Sequence, residues 1–301
     1  MLAAVLTAFG FSLSVIFAAR SARLLGGQTA NLARLIVAML LLALWAHTFG
    51  SGLGGGALGW FIWSGIIGFG VGDVALFASI ERIGPRLTIL LTQCLAAPIG
   101  AFVEWVWLGT VLTWQEAAWS GLILVGVAFA LAPDEGWTGD RRTFWIGTIF
   151  GIGAATGQAL GAVVSRKAYQ VAETATGMVP DGGTAAYQRI LGGVLVSALA
   201  FALIKRMRKT PVQLNAARWR LAAPLVLANA LAGPAFGVAC YQWALRSTEI
   251  GVVLAVVATA PLMTMMLAWP IDGTRPTRRA VVGSIIAVAG VAGLKYFSTA
   301  G

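Results

Sequence analysis

The chain has 301 residues, of which 58% are hydrophobic and only 11% are charged. Soluble domains carry about 25% charged residues, so this chain cannot cover a water-exposed surface of its size. Apolar runs of roughly 18 residues or more recur along it, and each can cross a bilayer as a helix. The net charge of +10 could indicate a nucleic-acid partner, but the basic residues cluster in short connections between apolar runs, as topology signals do. We therefore predict an all-α integral membrane protein, with the lipid bilayer and no nucleic acid as its partner.

The apolar pattern predicts ten membrane-spanning helices. The first run is not expected to be a cleaved signal peptide, because its first arginine, Arg20, follows it. Cys94 and Cys240 each stand inside an apolar run, and neither a metal-binding spacing nor a disulfide is implied. In chain order the predicted spans are 2–19, 30–49, 57–80, 86–108, 114–132, 143–165, 184–204, 221–245, 250–271 and 279–297.

The basic residues predict the orientation of these spans. With the N-terminus outside, the inner side collects 16 of the 21 Lys and Arg residues, including the cluster at 205–220. Cytoplasmic connections accumulate Lys and Arg, so both termini are predicted to be outside, on the periplasmic face of a bacterial inner membrane. The five basic residues assigned to the outer side are Arg166, Lys167, Arg189, Arg246 and Lys295.

The two halves of the chain resemble each other. "FGV" occurs at 69–71 and at 236–238, "LARLIVAMLLLAL" (32–44) resembles "YQRILGGVLVSAL" (187–199), and Asp73 falls opposite Cys240. These matches place Arg34 opposite Arg189. With five spans in each half, the second half enters the membrane from the other side. We predict two inverted repeats, 1–135 and 141–299, a transporter design that places the substrate at the repeat interface.

The repeated pattern resembles a known family. The five-plus-five helices, Arg34 and Arg189 early in the second helix of each half, and "GLILVGV" (121–127) and "GSIIAVAGV" (283–291) in the last helices are similar to EamA-type exporters of the drug/metabolite transporter superfamily. The nearest group is the YddG-like amino-acid exporters. The resemblance implies export of amino acids or similar metabolites without ATP hydrolysis. Thr110 and Thr274 stand where the family usually has an acidic residue.

Asp73 is the sharpest candidate for a substrate-binding residue. A charged side chain in hydrocarbon costs at least roughly 2.5–3.5 kcal/mol, so it normally faces a cavity or a partner. Phe77 follows one helical turn later on the same face. Asp73 could bind a substrate ammonium group or a proton, or it could form a structural ion pair with Arg34.

Further candidates are polar or aromatic side chains within the spans. Gln158 aligns with Ser12 in the other repeat, and small residues on the same helix face mean that Gln158 could instead join packed helices. Trp243 could stack on a ligand or lie in an aromatic belt at the membrane surface, and Glu104, which Trp105 and Trp107 follow, is predicted to be interfacial. The predicted substrate-binding set is Ser12, Asp73, Phe77, Gln158, Tyr187, Asn229, Tyr241, Gln242 and Trp243.

These observations favour a secondary-active or facilitative exporter that works by alternating access on a small-molecule substrate, with amino acids bearing bulky apolar side chains preferred. A drug or nucleoside exporter and, less favoured, a membrane-embedded lipid-modifying enzyme are the alternatives. No nucleotide-binding G-x-x-x-x-G-K-[ST] loop and no G-x-S-x-G elbow occurs. We expect no enzyme activity, no cofactor and no metal, and a functional monomer.

Overall fold

The computed structural model describes residues 1–132, 139–207, 216–272 and 277–299. The described residues contain ten helices long and apolar enough to cross a membrane, and no strand, which confirms the predicted all-α membrane fold. Half of the cluster at 205–220, and Thr274, lie outside the described residues. The helices are α1 (Leu2–Leu25), α2 (Gly27–Thr48), α3 (Leu58–Pro85), α4 (Leu87–Leu108), α5 (Trp114–Leu131), α6 (Arg141–Thr176), α7 (Gly182–Leu203), α8 (Ala216–Ser247), α9 (Ile250–Trp269) and α10 (Arg278–Tyr296).

Helix ends meet in two groups at two ends of the bundle. We call the end where the start of α2 and the ends of α3 and α7 line one cavity the basic face. The opposite face is the end where the ends of α2, α6 and α8 lie beside the start of α7. The helix α9 lies near the centre, where every residue from 250 to 258 is buried.

The helix α6 extends eleven residues beyond its predicted end at 165. The prediction stopped there because Arg166 and Lys167 end the apolar run. The helix continues because one face of the extension packs against other helices: Ala168, Tyr169 and Ala172 are buried, and the Tyr169 ring lies 5.2 Å from that of Phe61. This extension forms part of the opposite face.

Two helices contain a π-helical segment, Ile66–Val71 in α3 and Leu231–Gly237 in α8. Pro234 lies inside the second segment and donates no backbone hydrogen bond, which loosens the helix there. Such segments are frequent at functional sites. At the end of α3 the chain turns through Gly84, whose φ of 77° suits glycine best, directly before Pro85.

Glycines allow the closest helix contacts. A Cβ atom added at Gly157 in α6 would lie 2.6 Å from the Cα of Gly72 in α3. A Cβ atom added at Gly10 in α1 would lie 3.0 Å from the Cα of Gly237 in α8. The helices α1 and α6 are therefore each packed backbone to backbone against a helix with a π-helical segment.

Asp181 caps the first turn of α7. Its carboxylate accepts hydrogen bonds from the backbone N–H groups of Gly183 and Thr184 and from Trp45 Nε1. Partial burial alone would raise the pKa of this carboxyl, but these hydrogen bonds, together with that from the Thr184 hydroxyl, hold it below its usual value. The cap ties the α6–α7 connection to α2.

Candidate functional site

A cavity of about 220 Å³ opens from the basic face between α2, α3 and α7. Aromatic and aliphatic side chains form much of its wall, and a few polar groups point into it. This mixture is typical of small-molecule sites, in which apolar walls bind the ligand body and polar groups orient it. The lining residues that matter most here are Gln28, Asn31, Phe69, Asp73, Phe77 and Glu81.

Asp73 and Phe77, both predicted as substrate-binding, lie together in the wall of this cavity. In the described part of the chain, no basic side chain lies within 4 Å of the Asp73 carboxylate, so the alternative of a direct ion pair with Arg34 is not observed. The charges of Arg34 and Arg189 nevertheless both act on it. Arg34 donates instead to Asn31, with 2.8 Å between Nε and Oδ1.

Arg189 is the main residue that the predicted site left out. It is only 5% exposed, and its guanidinium carbon lies 5.1 Å from the centre of the Phe69 ring and 5.4 Å from that of Tyr241. Its Nε and Nη1 atoms have no hydrogen-bond partner among the described residues. A buried guanidinium normally finds acceptors for its five N–H donors, so this group has unused capacity to bind an anion.

The prediction that placed Arg189 on the outer side of the membrane did not anticipate that its side chain is buried inside the bundle. Arg189 is the eighth residue of α7, about 10 Å from its first residue along the axis at 1.5 Å per residue. A Cβ atom added at Gly68 would lie 2.5 Å from Arg189 Nη2, so glycine there leaves room for the guanidinium. Counting charges along the chain cannot predict this burial, because it does not use the contacts between helices.

Phe69 lies between Arg189 and the cavity, because Phe69 lines the cavity and its ring contacts the Arg189 guanidinium. The site therefore has a carboxylate in the cavity wall and a guanidinium one side chain deeper. These opposite charges lie in surroundings of low dielectric, where each acts more strongly on a ligand than in water.

Three of the predicted residues are engaged in contacts between helices. The buried hydroxyl of Ser12 donates to the carbonyl of Ala260, 2.8 Å away. Ala260 follows Ala258 and Thr259, where the α-helical pattern of α9 is interrupted. Ser14 donates to the Asn229 Oδ1 atom at 2.6 Å. Tyr187 packs edge-on against His47, with 5.5 Å between ring centres.

The remaining predicted residues lie apart from the cavity wall. Gln242 is fully buried, and its Nε2 donates to Ser165 Oγ at 3.0 Å. Tyr241 contacts Arg189, which brings it near the cavity indirectly. Gln158 is half-buried on α6, and Trp243 is 49% exposed on the outside of α8.

A buried ion pair closes the opposite face. Glu104 in α4 is 1% exposed, and its Oε1 atom lies 2.9 Å from Arg166 Nε in α6. The Ile250 N–H at the start of α9 donates to Glu104 Oε2 at 2.7 Å, and Arg166 Nη1 donates to the carbonyls of Thr248 and Leu245 at the end of α8. We call this set of contacts the clamp. Glu104 lies near the end of α4, but its side chain faces the protein interior.

Comparisons with known proteins agree with this architecture. The model of the EamA-like transporter family matches residues 145–296. A solved structure described only as "Crystal structure of protein" is 18% identical, with a TM-score of 0.69 over 97% of this chain and 96% of that one. No curated protein matches the sequence.

Proposed function

We propose, because the chain belongs to the EamA-like transporter family, that it exports zwitterionic amino acids with bulky apolar side chains across a bacterial inner membrane. The observation that carries this proposal is the buried Arg189, with two unpartnered nitrogens, beside the cavity carboxylate of Asp73. Arg189 would bind the substrate carboxylate, and Asp73 its ammonium group. Phe69 and Phe77 would contact the apolar side chain.

Alternating access between inverted repeats is part of the proposal. The close contact of Gly157 with Gly72 has a counterpart in that of Gly10 with Gly237, within one or two residues of the positions that the repeat alignment pairs. The π-helical segments of α3 and α8 also stand at matching positions. These correspondences support two halves of one design that rock about a central site.

The structure is open at the basic face and clamped at the opposite face. If the basic face is cytoplasmic, as the charge distribution favours, this is the state that receives substrate for export. Both termini would then lie in the periplasm. The cavity lies within one chain, which is consistent with a functional monomer.

Counterflow of radiolabelled L-phenylalanine in proteoliposomes tests the proposal. Unlabelled L-phenylalanine should compete fully, whereas 3-phenylpropionate, which lacks the amine, and L-phenylalaninamide, which lacks the carboxylate, should compete at least about tenfold more weakly. The reason is that each lacks one charge-assisted hydrogen bond. Equal competition by all three compounds would remove the zwitterion from the proposal. Competition by an uncharged nucleoside alone would favour the nucleoside exporter instead.

A further inference from the structure

A second cavity, of about 210 Å³, lies at the opposite face directly beside the clamp. It is formed by the α6 extension, the end of α8 and the connection before α7. Its lining is mainly polar and carries charges of both signs. The lining residues are Arg166, Tyr169, Gln170, Glu173, Val179 and Arg246.

Two features of this cavity indicate a built binding site. Tyr169 is only 4% exposed, yet its hydroxyl has no hydrogen-bond partner among the described residues. An unpaired buried hydroxyl costs free energy unless a ligand or water satisfies it. Arg246 lines the same cavity as Tyr169, so a hydroxyl donor and a cation share its wall. The charges of Arg246, Asp181 and Arg189 all act on the Tyr169 hydroxyl, the two arginines with one sign and Asp181 with the other.

Arg166 belongs both to this cavity and to the clamp. Its contacts with Glu104, Thr248 and Leu245 use Nε and Nη1, and none of them uses Nη2. A carboxylate in the cavity can therefore reach the Arg166 guanidinium from the side away from Glu104. Two carboxylates that bind one guanidinium repel each other in partly buried surroundings, so each binds it more weakly than it would alone.

We propose that this cavity is a binding site for a carboxylate ligand at the opposite face, and that the ligand competes with Glu104 for Arg166 and so loosens the clamp. Arg246, Tyr169 and Arg166 hold the carboxylate. Glu173, at the rim, holds the ammonium group when the ligand is a zwitterion. The ligand class follows from the proposed export function, whereas the site itself rests on the cavity and its unpaired groups.

A fluorescent reporter beside the cavity tests this proposal without a transport measurement. Met178 is 65% exposed and precedes Val179 in the cavity wall, so Met178→Cys can carry a bimane group once Cys94 and Cys240 have been replaced by alanine. The purified protein is titrated with L-phenylalanine, 3-phenylpropionate and L-phenylalaninamide. The first two should give a saturable signal, and the amide should give none.

Variants of the cavity decide whether the signal comes from this site. Arg246→Gln should raise the half-saturating concentration of 3-phenylpropionate about three- to tenfold, as expected for a partly exposed cation. Lys167→Gln, which removes a positive charge from α6 next to Arg166 but outside the cavity lining, should leave the half-saturating concentration unchanged. An equal response of wild type and Arg246→Gln would overturn the site.

The competition has its own test. Glu104→Gln weakens the hold on Arg166, so it should lower the half-saturating concentration several-fold, in the direction opposite to Arg246→Gln. An unchanged or raised value in a folded Glu104→Gln variant would overturn the competition. The Asp73→Asn variant should keep the full bimane response while losing transport. If even the wild type transports no phenylalanine, the export proposal fails, and the bimane titration still decides the carboxylate site.

Discussion

Replacement of Asp73 by asparagine separates a substrate-binding role from a structural one. The change keeps the side-chain shape and removes the charge. Asp73 has no ion-pair partner within 4 Å in the described part of the chain. Beyond that distance each attraction to Arg34 or Arg189 is below about 4 kcal/mol at an effective dielectric constant of about 20, and the cost of burying the carboxylate offsets it. We therefore expect the melting temperature of the purified variant to change by no more than about 3 °C.

The transport rate of Asp73→Asn should fall much further than its stability. Loss of one charge-assisted hydrogen bond to the substrate ammonium is worth roughly 1.5–3 kcal/mol, which corresponds to at least about a tenfold loss in rate. The matched control is Glu81→Gln, which removes the same charge from an exposed position at the cavity rim. Wild-type transport by Asp73→Asn would refute the reasoning. A large drop in melting temperature would show instead that the carboxylate stabilises the fold.

Three further changes test the packing, the cap and the orientation. Gly157→Leu should strongly destabilise the protein in detergent, because a Cβ atom there would lie 2.6 Å from the Cα of Gly72, whereas Gly153→Leu, whose Cβ has 3.6 Å to its nearest neighbour, should cost much less. Asp181→Asn should lower the melting temperature at pH 7. A carboxyl with a depressed pKa stabilises the fold above its ordinary pKa of 3.8, so the difference from wild type should shrink as the pH falls below that value. A reporter fused after Gly301 should be active in the periplasm, and cytoplasmic activity would reverse the proposed orientation.

The number and order of the helices could be predicted from sequence because each apolar run is long enough to span a bilayer and is bounded by charged or Gly-rich connections. The end of α6 could not be predicted, because the extension beyond Arg166 has no continuous apolar run and is held by one packed face, where Tyr169 contacts Phe61. The periodicity of hydrophobic residues predicts which face of a helix is apolar. It does not predict which neighbouring helix a polar helix end will contact.

The candidate site could be predicted in part. Asp73 was identified because a lone acid in an apolar run costs free energy to bury in a membrane, and the sequence alone shows such a residue. Arg189 was missed because arginine near a helix end normally extends to the membrane surface. Its inward position depends on Gly68 leaving space and on two aromatic rings from other helices, Phe69 and Tyr241, which come together only in the folded chain. The repeat carried a signal for Arg189, since it places Arg34 opposite Arg189. In the structure each is the eighth residue of its helix.

Under the proposed function, the presence of an acid in only one half, where Asp73 falls opposite Cys240, has a physical meaning. Both halves contribute an arginine at the same helical position, but only one contributes an acid, because the residue opposite Asp73 is Cys240, which is 7% exposed. The centre therefore carries two guanidinium groups and one carboxylate. A zwitterion adds no net charge, but its carboxylate supplies the acceptor that Arg189 lacks, and its ammonium group finds a single counter-charge.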